Sequence, residues 1–409
     1  MGKTEYFQYV KLGMGDRRYF CLHQNILILT WILFFNKGTL QQIVRSLPDS
    51  VSHHIKSFQQ TYRLLKNKSK IKLKMIIMFI GYKYYSKNNE STIELPIYGQ
   101  ICVPVHKGYK VFDIRRGVVV KIFNNEVEKS AVSSEIKELE KVSIFNCAPS
   151  IRRYSIDEKW YEEDYCEGSL DSSYAPMETN VLLKKFHCAI VPCLEEFLTR
   201  QEVKSVALGD YLNDMKSRFE DMMLSTKQID PGTTDKILPF FHFIWNKFNA
   251  EKDYPVVLVC SHGDFNPANM INTKKGVKVI DWEGVSYRSA LFDFYSYCFY
   301  RPICRDIDIG QMSKEMNEVY IFFISRLSFS VPVIYESIIG SKDMYRRLYY
   351  IERICMLIER LKTDTHENLK WIVLKHIKAF RRYEEMTQAE RVPEDRKRFD
   401  NAAITNINS

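Results

Sequence analysis

Between residues 256 and 284 the chain reads "VVLVCSHGDFNPANMINTKKGVKVIDWEG", in which two apolar runs end in polar loops. Short runs rich in Val, Leu and Ile, bounded by Gly, Asn, Asp and Pro, are the pattern of buried strands. Gly276 predicts a hairpin turn between them. A buried strand is a rigid mount for whatever its end carries, and these ends carry His262, Asp264, Asn269 and Asp281. The stretch therefore predicts a β-rich island holding a cluster of oxygen-bearing side chains.

The surroundings divide by period. Residues 91–125 contain short β-rich runs separated by "HKG" and "RRG", a meander of about three strands. A helix follows, with Ser133 or Ser134 as cap and Ile136, Leu139 and Val142 at helical spacing. Residues 150–168 predict a further strand pair ending at Gly168. Residues 179–250 and 312–384 carry helical periodicity, as in Ile351, Ile354, Ile358 and Leu361, then Leu369, Ile372, Val373, His376 and Ile377. The tail from Thr387 lacks a sustained apolar face and is expected to fray. The expected organisation is a basic extension over 1–90, a small β-rich lobe over 91–168, a helical lobe over 169–386 and a polar tail over 387–409.

With 409 residues, 45% of them hydrophobic, the chain is folded and large enough for more than one core. Its ten cysteines include no C-x-x-C pair, which excludes common zinc motifs and predicts reduced thiols. Charge is lopsided: residues 1–90 hold 15 Lys or Arg against 4 Asp or Glu, while the whole chain carries a net +9. The apolar run "ILILTWILFF" at 26–35 is half the length of about twenty residues that crosses a bilayer. No secretory cleavage site follows it, which predicts a cytoplasmic protein. Gly2 lacks the Ser or Thr that myristoylation wants at position 6, where Tyr6 stands. "GKT" at 2–4 has no glycine loop before it. The basic surplus reads as a solvated appendage or as attraction to an anionic membrane surface or acidic glycan. It is not interleaved with aromatics as in single-strand nucleic-acid binders.

A β-rich lobe, a helix and a helical lobe with a polar loop form the layout of a kinase-like phosphotransferase. Such enzymes place an Asn five residues after a loop Asp, then a metal-binding Asp at the next strand end. Asp264, Asn269 and Asp281 stand at those offsets. Magnesium prefers hard oxygen ligands, and one carboxylate with one amide oxygen leaves room for phosphate and water. Asp264 would orient an acceptor hydroxyl and take its proton.

"HGDFNPAN" and "IDWE" together resemble the aminoglycoside phosphotransferase and choline kinase superfamily, with its protein kinase-like fold. The resemblance covers residues 256–300, extends to about 97–170, and is absent from 1–90. It implies an α+β, two-lobed chain using ATP and Mg2+, with His262 and Asp293 ("ALFDFYSY") as supports of the catalytic loop. It places the nucleotide-anchoring lysine at Lys121 in "GVVVKIF", oriented by Glu135, with Glu138 as the alternative. Backbone amides from Glu163 to Tyr165 would meet adenine. Two departures stand out: the first hairpin has only Gly108 where a glycine-rich loop is usual, and Asp281-Trp282-Glu283-Gly284 replaces the Asp-Phe-Gly of protein kinases. The bland alternatives are a solvated strand-end lysine at 121 and an exposed helix glutamate at 135.

The expected activity is transfer of the γ-phosphate of ATP to a hydroxyl of a small molecule or sugar. The rival is a kinase-like nucleotide-binding scaffold without turnover, or a kinase acting on a membrane-linked glycan or protein. Peripheral attachment at an inner membrane face through residues 1–90 belongs to the glycan reading.

Overall fold

A computed structural model describes residues 5–12, 18–34, 72–84, 92–105, 107–170, 179–226, 229–248, 253–305, 308–363 and 368–407. The basic run from Arg63 to Lys70, His53, His54 and the N-terminal "MGKT" lie outside the described residues. The chain divides into one unit of Met1–Ser172 with Ala268–Glu283 and a second of Ser173–Pro267 with Gly284–Ser409.

The first unit is built on an eight-stranded sheet whose strands pair antiparallel throughout. Its strands are β1 (Phe7–Lys11), β2 (Tyr19–Cys21), β3 (Thr92–Leu95), β4 (Ile101–Val105), β5 (Gly108–Asp113), β6 (Val118–Phe123), β7 (Ile151–Ser155) and β8 (Trp160–Asp164). Their order is β3-β1-β2-β4-β5-β6-β8-β7. Against one face pack α1 (Ile26–Phe34) and a helix over 72–84, α2, through Leu29, Ile32, Leu33, Met75 and Phe79 onto Val10, Phe20 and Ile101. Leu29, Ile32 and Leu33 of the apolar run are thus core, while Leu27 and Trp31 on the same helix are exposed; each such buried side chain contributes up to about 1.5–3 kcal/mol by leaving water. Among the described residues no helix is long and apolar enough to cross a membrane.

Residue 90 is therefore not a structural boundary, because β1 and β2 sit inside the sheet between β3 and β4. Alternation was too brief in these strands to stand out from the basic surroundings. The meander β4-β5-β6 forms as expected, followed by α3 (Lys129–Val142), which buries Val132, Ile136, Leu139 and Val142. Its N-cap is Glu128, in extended conformation and without a side-chain cap, so Ser133 and Ser134 lie inside the helix. A small second sheet joins β9 (Ser169–Leu170), β12 (Met270–Thr273) and β13 (Gly276–Val279) in the order β13-β12-β9. Gly276 makes the predicted turn with φ +119°.

The second unit is mainly helical. It comprises α4 (Thr179–Lys185), α5 (Val191–Thr199), α6 (Leu208–Ser225), α7 (Pro231–Trp245), α8 (Phe292–Arg305), α9 (Ile309–Ser330), α10 (Pro332–Ile338), α11 (Lys342–Thr363) and α12 (Asn368–Ile407). A three-stranded antiparallel sheet, β10 (Lys204–Ala207), β11 (Pro255–Ser261) and β14 (Ser286–Ser289), has β11 at its centre. The predicted stripe Ile351, Ile354, Ile358 and Leu361 is buried, as are Val373 and Ile377 of α12. Stacked Tyr350 and Phe380, 4.2 Å apart, join α11 to α12, and Phe299 of α8 meets both rings. Beyond Thr387 the backbone stays helical to Ile407. Gln, Ala, Glu and Arg are strong helix formers, and that local preference needs no apolar stripe. The chain is α+β, with a β-rich unit and a mainly helical one, as the sequence predicts.

Candidate active site

In the first unit the site grows from β6. All six of its residues are buried, and Lys121 is 1% exposed among valines, isoleucine and phenylalanine. An ammonium in such a place needs partners, since an unpaired buried charge is prohibitively costly. Lys121 Nζ donates to Glu135 Oε1 of α3 at 2.6 Å and to Glu283 Oε1 at 2.6 Å. The Tyr161 hydroxyl adds a 3.3 Å hydrogen bond to Glu135 Oε1. Glu138 instead pairs with Lys141 one turn on, at 2.7 Å.

The second sheet brings up the acidic partners. Asn269 ends the 3₁₀ turn Pro267–Asn269, and its carbonyl oxygen accepts from the Ile280 N–H at 2.8 Å, which sets it beside the residue preceding Asp281. Asp281 has φ +70°, in the left-handed region. A non-glycine residue there costs about 1–3 kcal/mol and persists only where its surroundings fix it. Here they do: Trp282 is buried, stacks on Phe145 at 5.8 Å and donates through Nε1 to the Val279 carbonyl. Val279 N–H donates to the Cys147 oxygen at 2.7 Å, fixing β13 to the loop after α3.

Two residues of this half, Lys110 and Glu283, were given no role in the sequence, and a third, Glu163, was singled out only for its backbone. Lys110 of β5 stands directly opposite Lys121 in register, and its Nζ lies 2.8 Å from Asp281 Oδ1 and 3.9 Å from Glu283 Oε1. Glu283 itself, read only as a departure from a family pattern, completes the pairing of Lys121. Glu163 contributes a side chain where backbone contacts were expected. Burial pushes its carboxyl up to about 7, and Asp281 and Glu283 push the same way against Lys110 and Lys121. The amides of Asp164 and Tyr165 are donated to the Ser150 and Gly117 carbonyl oxygens, each at 3.0 Å. Those two donors are thus hydrogen-bonded within the first unit. The β5 lysine was legible in principle: once the "RRG" turn fixes the hairpin, 110 must face 121.

In the second unit the site grows from the end of β11. Asp293, in the first turn of α8, accepts from the N–H groups of His262 at 2.7 Å and Gly263 at 3.1 Å. Burial raises its carboxyl, and His262 with the two N–H groups pulls the other way. His262 is fully buried and its Nδ1 accepts from the Asp264 N–H at 3.1 Å. Gly263 has φ +82°, and a Cβ there would meet the Gly284 oxygen at 2.5 Å. Only glycine meets both demands.

Asp264 is held by a residue the sequence reading missed. Arg353 of α11 donates through Nη2 to Asp264 Oδ1 and through Nη1 to the Gly263 oxygen, both at 3.0 Å. Burial alone would raise the Asp264 carboxyl, but the guanidinium groups of Arg353 and Arg360 outweigh it and hold it well below the usual carboxylate range. His376 shares Arg353, with Nε2 facing Arg353 Nε at 3.4 Å and Nδ1 2.8 Å from the Ile372 oxygen. Burial, then Arg353, lowers its imidazole to about 3, so it is neutral and can accept from the guanidinium. Arg353 was hidden because it sits one residue from Ile354 in an apolar stripe.

The sequence profile of the phosphotransferase enzyme family matches residues 217–314, about a quarter of the chain and the part holding Asp264, Asn269, Asp281 and Asp293. No curated protein sequence matches. Among solved structures the chain is similar to a choline kinase from Streptococcus pneumoniae (17% identity, 68% of this chain, 91% of that one, TM-score 0.45). It is also similar to a choline kinase from Cryptosporidium parvum (14%, 77% and 96%, TM-score 0.48) and an ethanolamine kinase from Plasmodium vivax (13%, 81% and 95%, TM-score 0.44).

Proposed function

We propose that this chain, similar over residues 217–314 to the phosphotransferase enzyme family, uses ATP and Mg2+ to phosphorylate a hydroxyl of a small molecule or sugar. The observation that carries the proposal is the buried Lys121 paired with Glu135 at 2.6 Å on an otherwise apolar strand. A lysine so placed is pre-oriented and can exchange a carboxylate for phosphate oxygens without reorganising its stem. Asn269 and Asp281 offer two hard oxygen donors, which suits an ion that keeps several positions for phosphate and water. Magnesium, when bound, would neutralise charge on the transferring phosphoryl group. Asp264 would orient the acceptor hydroxyl. Held well below the usual carboxylate range by Arg353 and Arg360, it is a weak ground-state base, so it would receive the proton late, as the bond to phosphorus forms. His262, Gly263 and Asp293 position the loop.

A second reading, nucleotide binding without turnover, is favoured by the Arg353 contact that engages Asp264. The two separate cleanly. ATP with Mg2+ should raise the melting temperature, and labelled phosphate should enter a small-molecule fraction of extract with wild type but not with Asp264→Asn. Stabilisation with no transfer supports the binding reading; label in glycan or protein redirects the acceptor. Neither stabilisation nor transfer rejects both.

A further inference from the structure

The proposed reading leaves Lys110, the ammonium paired with Asp281, without a task. Lys110 and Lys121 are direct cross-strand partners on β5 and β6, so both side chains rise from one face of the sheet. Directly opposed side chains have Cβ atoms about 4.5–5.5 Å apart, and like charges so placed destabilise a sheet unless anions lie between them. Both ammonium groups approach the same atom, Glu283 Oε1, at 2.6 Å from Lys121 and 3.9 Å from Lys110.

The pair is not equivalent. Lys121 is 1% exposed and bonded to two carboxylates; Lys110 is 14% exposed and bonded to Asp281, whose side chain is 50% exposed. Lys110 is therefore the ammonium that solvent and a solute can reach.

The neighbouring hairpin explains the need for it. Its one glycine is committed to packing, since a Cβ on Gly108 would lie 1.9 Å from the Ile122 carbonyl oxygen on β6. The Val105–Gly108 connection pairs end to end, and Lys107 beside it carries the left-handed φ of +66°. A backbone cradle for phosphate wants glycines whose N–H groups are turned outward, and this hairpin has none to spare.

The geometry points to Lys110 as a second polyphosphate-binding lysine, supplying from a side chain on β5 the charge that a glycine-rich loop supplies from backbone N–H groups. The inference rests on the nucleotide-dependent reading above. Lys110 exchanges Asp281 for the phosphate chain when nucleotide binds, alongside Lys121, which exchanges one of its two carboxylates. A charge-assisted hydrogen bond to phosphate is among the stronger single contacts, and its loss reads as about a tenfold or greater weakening.

The test is equilibrium displacement of a fluorescent ATP analogue by ATP, ADP and adenosine, with Mg2+ and again with chelator. Lys110→Met should weaken ATP and ADP about tenfold or more and adenosine less than about twofold, and Lys110→Arg should retain most of the affinity. Melting temperature without nucleotide checks the fold; if Lys110→Met does not fold, Lys110→Gln replaces it. Unchanged ATP affinity, or equal losses for ATP and adenosine, overturns the assignment and leaves Lys110 a counter-ion of Asp281. Wild type that binds none of the three overturns the nucleotide reading itself; wild type and variant that both prefer ATP to adenosine equally overturn only the role of Lys110.

Discussion

Arg353 holds Asp264 by a fork: one guanidinium nitrogen is 3.0 Å from the carboxylate and another 3.0 Å from the carbonyl oxygen of the preceding Gly263. Side chain and backbone of the loop are thereby fixed by one residue, which is in turn held by a neutral His376. The folded Asp264 has a pKa below its unfolded value. Its contribution to stability is present above about pH 4 and is lost as pH falls through the folded value. Arg353→Leu removes the strongest offset to burial, so the acid limb of the transfer rate against pH should move up by about one unit or more. Denaturant unfolding should show a loss of about 1–3 kcal/mol, less than for a fully buried pair because Asp264 is 27% exposed. An unmoved limb would show that the guanidinium does not govern the carboxylate.

Lys121 sits between two carboxylates, so removing it and removing one of them are unequal acts. Glu135→Gln leaves Glu283 as partner and should cost about 1 kcal/mol or less. Lys121→Met leaves Glu135 and Glu283 without their shared cation and should cost about 2–4 kcal/mol. Urea unfolding of both variants decides, and equal losses would mean that Glu135 alone sustains the lysine.

Gly263 and Gly117 share a left-handed φ, +82° and +66°, but not their surroundings. Gly117→Ala meets nothing within 4 Å and should cost only the backbone term of about 1–2 kcal/mol. Gly263→Ala would press on the Gly284 oxygen as well and should cost about 2–4 kcal/mol. Thermal melts of the pair check the order; a Gly263→Ala no worse than Gly117→Ala would deny the close approach its importance.

Glu163 has its folded carboxyl at about 7 through burial, then Asp281 and Glu283, and an unfolded value near 4.3. The folded chain keeps a proton that the unfolded chain has released, so stability is greatest below about pH 4 and declines as pH rises to about 7. Glu163→Gln should abolish that decline, leaving the variant about 1–3 kcal/mol better off relative to wild type at pH 8 than at pH 4. Unfolding in metal-free buffer at both pH values measures it, and parallel pH curves would refute it.

What could be read in advance follows the range of the forces involved. The strands around residue 260, the meander and the α11 stripe were legible because periodicity is local. Lys121 and Glu135 were legible as types at a spacing, and the structure puts them 2.6 Å apart. Glu283 and Arg353 were not, since their meaning lies in partners 162 and 89 residues away, and Lys110, legible as the cross-strand neighbour of Lys121, was not legible as the partner of Asp281, 171 residues on. β1 and β2 were masked by composition: basic neighbours drew attention from a short strand whose evidence is its partner across more than 80 residues. Glu128 began α3 in place of a serine because an extended backbone, not a capping side chain, opened the helix.

The segment Ala268–Glu283 belongs to the first unit although nearly a hundred residues of the second precede it. During synthesis, Lys110 and Lys121 therefore emerge well before Asp281 and Glu283. At about 5–20 residues per second the wait, over the 162 residues from Lys121 to Glu283, is on the order of 10–30 s. Over that interval Lys121 has only Glu135, and Lys110 has neither Asp281 nor Glu283. The first unit thus reaches its final charge balance only after most of the chain has been made, and a fragment ending at Ser172 would reproduce that immature state permanently.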